Sequence, residues 1–94
     1  MTNNTYLDHL NQRLQTLVRD MAKARKKLED GSIEDKVTAL GDLTRVELKH
    51  QELAKKIEAA TKKNAEDWST LHMGFQEDLD ALAETLESWI MKYT

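Results

Sequence analysis

Leu7, Leu10, Leu14, Leu17, Met21, Ala24 and Leu28 follow one another at alternating steps of three and four. Apolar side chains recurring on average every 3.5 residues form one stripe along an α-helix and leave its other faces wet. Such a helix is incomplete alone, because its stripe has to be covered by another apolar surface. The pattern therefore commits the first third of the chain to helix-on-helix packing.

The remaining sequence supports the same class. Proline is absent, glycine occurs only at 31, 41 and 74, and a third of the side chains are charged. That composition favours long helices, and no alternating run of β-branched residues reads as a strand. We expect an all-α protein, an antiparallel three-helix coiled-coil-like bundle. It would form one helical domain over residues 1–94, with helices at about 5–29, 33–63 and 66–92.

The first reversal is well marked. Thr5 or Asn4 can cap the start of the first helix, with Asp8 in its first turn, and Arg25, Lys26 and Lys27 sit where a helix C-terminus favours cations. Gly31 can take the left-handed conformation that closes a helix. Ser32 followed by Asp35 resembles a capping box for the next one. The second helix begins on one register (Ile33, Val37, Leu40) and resumes on another (Leu43, Val46, His50, Leu53, Ile57, Ala60). The offset falls at Gly41 and implies a stutter or mild kink.

The second reversal is poorly marked. Asn64 with Asp67 offers a cap, yet the apolar beat of Ile57, Ala60, Asn64, Trp68, Leu71 and Phe75 runs straight through. The alternative is helix 1 hairpinned onto one long helix over 33–92, roughly 90 Å at 1.5 Å per residue, in an oligomer. The three-helix plan is preferred because it gives Trp68 and Trp89 a core. Its third stripe is Trp68, Leu71, Phe75, Leu79, Leu82, Leu86, Trp89, Ile90 and Tyr93. Gly74 interrupts that helix, either to admit a close neighbour or simply as a tolerated residue.

Charge is unevenly spread. Residues 1–63 carry 13 basic and 10 acidic side chains, and residues 64–94 carry one and seven, so +3 and −6 make up the net charge of −3. With helix 3 parallel to helix 1, Glu84 and Glu87 would lie near Arg25, Lys26 and Lys27.

Few residues suggest chemistry. Glu47 and His50 share a helix face as Glu-x-x-His, the pair that di-metal carboxylate bundles use in duplicate. One copy is present, so a metal site would need a second chain, and a polar residue setting register explains His50 equally well. His9 and His72 fall toward the same end of a three-helix form, where surface histidines near helix starts are the plainer reading. The basic cluster Arg19, Lys23, Arg25, Lys26 and Lys27 lacks interleaved aromatics. With a pI near 5.6, it argues against a nucleic-acid partner. No cofactor signature, phosphate loop or nucleophile–histidine arrangement occurs, and the absence of cysteine excludes thiolate chemistry and disulfides.

Tyr6, Val18, Trp89, Ile90 and Tyr93 exceed what a one-sided stripe needs. They mark either an interaction surface or a stripe wide enough for two neighbours. The length and up-down-up plan resemble spectrin-type triple-helical repeats in architecture alone. No helix 1 tryptophan, which that family usually has, is present. The functional expectation is a non-enzymatic protein–protein interaction or scaffolding module, a homodimer, cytoplasmic and without membrane or nucleic-acid partners. The alternatives are a Glu47/His50 metal-binding bundle across a dimer and a small acidic inhibitor or antitoxin-like protein.

Overall fold

The computed structural model describes residues 3–31, 33–62 and 68–93. They form three helices, α1 (Asn3–Glu29), α2 (Lys36–Lys62) and α3 (Trp68–Tyr93). The bundle measures 48 × 18 × 17 Å, close to the roughly 40 Å expected of 27 helical residues. Pairing across the seams sets the directions. Arg25 meets Glu47, and His50 meets Leu14, so α2 runs against α1. His9 meets His72, and Arg13 meets Gln76, so α3 runs with α1. Because α2 runs against α1 and α3 runs with it, α3 runs against α2, and the end of α3 meets the start of α2 through Trp89 to Ala39 and Tyr93 to Asp42. The chain thus reverses between Lys62 and Trp68, and the single 33–92 helix is replaced by two antiparallel ones. Residues 63–67, where that reversal and the Asn64 cap were expected, lie outside the described residues, as does Ser32.

The α1 stripe enters the core as its spacing requires. Leu10, Leu17, Met21, Ala24 and Leu28 are buried, and Leu7 and Leu14 are half-buried. The helix begins at Asn3, which moves Asp8 from the first turn to the second. It ends as expected: the Asp30 amide donates to the Lys26 carbonyl, the Gly31 amide to that of Leu28, and Gly31 adopts φ +78°. That backbone is strained for any residue carrying a Cβ.

Two expectations for α2 are corrected. It starts at Lys36, not near residue 33, because Asp35 is its cap: the carboxylate accepts the Thr38 amide at 3.2 Å. This satisfies one of the amides left without an intrahelical partner in the first turn. Ile33 is nonetheless buried, anchoring the connection from outside the helix. The register slip at Gly41 is also absent. Ala39, not Leu40, occupies the core, and Val37 is 85% exposed, so Ala39, Leu43, Val46, His50, Leu53, Ile57 and Ala60 form one unbroken stripe. The helix starts after Ile33, and the stripe runs back from Leu43 by one turn to Ala39, whose carbonyl accepts the buried Trp89 indole N–H at 2.8 Å.

In α3, Trp68, Phe75, Leu79, Leu82, Leu86 and Trp89 are buried, Leu71 and Tyr93 are half-buried, and Ile90 faces outward. Gly74 admits no close neighbour: a Cβ built there meets nothing within 4 Å, and the same holds at Gly41. No buried residue in the described bundle is polar or charged, and no buried side-chain N or O lacks a hydrogen bond. The interior is thus purely hydrophobic, with polar contacts confined to its margins.

Candidate functional site

The antiparallel plan sorts the chemistry-bearing residues into three places. At one end the N-termini of α1 and α3 lie side by side. Successive turns of α1 present Tyr6, His9 and Arg13 toward α3, which presents His72, Gln76 and Asp80 in return. His9 Nδ1 and His72 Nε2 are 2.9 Å apart. Two imidazoles at this distance share one hydrogen, one ring donating and the other accepting. The Tyr6 ring packs on His72 at 4.9 Å between centroids. Burial, and secondarily the charge of His9, holds the His72 pKa below the ordinary imidazole value. One turn along, Arg13 binds the Gln76 side-chain oxygen and the Asp80 carboxylate, each at 2.7 Å.

Mid-bundle, Glu47 and His50 face α1 but are engaged separately. Glu47 accepts from Arg25 at 2.6 Å, an ion pair that raises the Arg25 pKa through that hydrogen bond and the attraction accompanying it. His50 Nε2 lies 3.1 Å from the Leu14 carbonyl. A carbonyl can only accept, so Nε2 carries the hydrogen. His50, half-buried, therefore ties the centre of α1 to α2. The Arg25 ion pair runs to α2, not to Glu84 or Glu87. The 63-residue offset between facing positions of α1 and α3 places those acids opposite residues 21 and 24, ahead of Arg25, Lys26 and Lys27.

At the other end α1 finishes beside the start of α2 and the end of α3. Trp89, placed in the core by the three-helix plan and also named for an interaction surface, is core at 3% exposure. Tyr93 is half-buried: its hydroxyl donates to Asp42 at 2.6 Å, its ring meets Trp89 at 5.3 Å, and Lys92 lies 5.1 Å above it. The Asp42 hydrogen bond is the chief cause of its raised pKa. Tyr6 is half-buried at the opposite end, and Val18 and Ile90 are exposed. Met91, which crowds the C-terminus with Ile90 in the sequence, is exposed, and so are Val37 and Leu40 at the start of α2, which the sequence register had assigned to the core.

Among the described residues, no group of three or more His, Cys, Asp or Glu side chains converges as a metal site. No described helix is long and apolar enough to cross a membrane. Comparison with protein-family models, with curated proteins and with solved structures found no match.

Proposed function

We propose that this chain is a non-enzymatic interaction or scaffolding module that presents a helical surface, and that it associates with a second copy of itself. The observation supporting this reading is the apolar end of the bundle. The core is complete without Val37 (85% exposed) and Met91 (84%), and Leu40 and Ile90 are exposed beside them in sequence. Of the seven large apolar side chains exposed on the described bundle, these four lie at this end and Val18, Leu48 and Met73 elsewhere; such a concentration supports a contact surface here. A groove lined by Arg25, Leu28, Glu29, Lys36 and Leu40 adds a charged rim to that end, the combination of apolar centre and polar border found at protein interfaces.

Analytical ultracentrifugation at tens of micromolar tests the homodimer. More than one chain per particle is expected, with Val37→Lys/Met91→Lys returning it to one. A strict monomer refutes self-association. If affinity capture from the native host also retrieves no partner that this double variant loses, the interaction reading fails as well.

A further inference from the structure

We propose that His9 and His72 form a bidentate, cross-helix binding site for a late first-row divalent metal ion, with Cu²⁺ and Ni²⁺ favoured over Zn²⁺. The inference does not depend on the interaction reading above. It begins from the separation of His9 Nδ1 and His72 Nε2, 2.9 Å. Metal–imidazole bonds are about 2.0–2.1 Å, so two nitrogens in adjacent positions of a square or octahedral ion lie about 2.9 Å apart, whereas a tetrahedral ion spreads them to about 3.3 Å. The nitrogens already have the square or octahedral spacing, and tetrahedral zinc requires the helices or rings to part.

The surroundings permit the exchange of a shared hydrogen for a metal. His9 is exposed, so its ring can pivot until both lone pairs converge. His72 is half-buried, with the Tyr6 ring packed against it at a 46° tilt. The hydrogen between the rings shifts to the other nitrogen of its own imidazole, so both ligands remain neutral and no proton balance is left open.

Among the described residues, Tyr6 packs on His72, and Arg13, one turn along α1, is paired with Asp80 of α3. In the last turns of α2, Glu58 and Lys62 are paired with each other. With no third ligand among the described residues, water fills the remaining positions. The two ligands come from helices 63 residues apart in sequence, so the metal would clasp α1 to α3 and stabilise the folded state.

The test uses the full chain freed of metal with chelator, then titrated with CuCl₂, NiCl₂ or ZnCl₂ at pH 7.5 by calorimetry and by thermal melting. One ion per chain is expected, with Cu²⁺ and Ni²⁺ tighter than Zn²⁺. Loss of supporting residues around metal ligands already costs about 10–100-fold, so His9→Ala or His72→Gln should weaken binding by roughly tenfold or more. His50→Ala should leave it unchanged. At a hundred times the dissociation constant, Tm should rise by roughly 10–20 °C. His9→Ala alters an exposed side chain, so a folding defect cannot masquerade as lost binding. Binding that survives His9→Ala, binding abolished by His50→Ala, or no binding at millimolar metal would each overturn the proposal.

Discussion

Replacing each glycine by alanine gives three outcomes whose signs the structure dictates. Gly41 and Gly74 lie inside α2 and α3, are exposed, and have nothing within 4 Å of the added Cβ. Only the backbone term remains there: alanine favours the helix over glycine by about 0.8–1 kcal/mol per site. Gly41 is near the start of α2 and Gly74 near the start of α3, and those helices are antiparallel. The two sites therefore occupy opposite halves of the bundle and should add, reaching about 1.6–2 kcal/mol in the double variant. For a domain of this size that is a rise in Tm of roughly 6–16 °C. Gly31 differs, because its φ of +78° is a conformation that L side chains rarely adopt. Gly31→Ala should cost about 1–2 kcal/mol. Circular dichroism at 222 nm, followed through heat and urea unfolding, measures all three. A loss of stability in Gly41→Ala or Gly74→Ala would show that something packs against those surfaces, and a gain in Gly31→Ala would show that the α1 terminus is not closed as described.

Other outcomes follow from individual contacts. Trp89→Phe keeps an aromatic ring but removes the donor to the Ala39 carbonyl, and should destabilise by about 1–3 kcal/mol in urea unfolding. Glu47→Gln breaks an ion pair at the protein surface, and its effect should stay below about 1 kcal/mol. His72, with a folded pKa below 6.5, resists protonation more than the unfolded chain does. Its contribution is therefore intact above pH 6.5 and is lost as pH falls from there through the folded pKa. The urea midpoint should drop between pH 7.5 and 5.5, and His72→Gln should flatten that slope; an unchanged slope would remove the protonation argument.

The helices themselves were legible in the chain because their information is local. A 3–4 beat in residues 7–28 is a property of consecutive positions, and Gly31 after a basic turn is a stop signal readable within a few residues. The α3 stripe was read correctly save for Ile90, for the same reason. The His9–His72 end was half legible: a three-helix plan places both near one end, but the 2.9 Å contact depends on the offset between α1 and α3, which no local pattern encodes.

Tertiary structure decided the register of early α2. Taken alone, Ile33, Val37 and Leu40 are a better apolar repeat than one beginning at Ala39. In the bundle Ala39 is buried, with the indole of Trp89, 50 residues away, donating to its carbonyl, while Val37 and Leu40 are exposed. That arrangement leaves the apolar end on which the interaction reading rests. Periodicity thus determined that the chain is helical and roughly which faces are buried, whereas the break between α2 and α3 carried no periodic signal and was chosen to give the two tryptophans a core. Which residues lie opposite one another, and which apolar side chains remain in water, was settled by the volumes and hydrogen bonds of side chains brought together only when the helices packed.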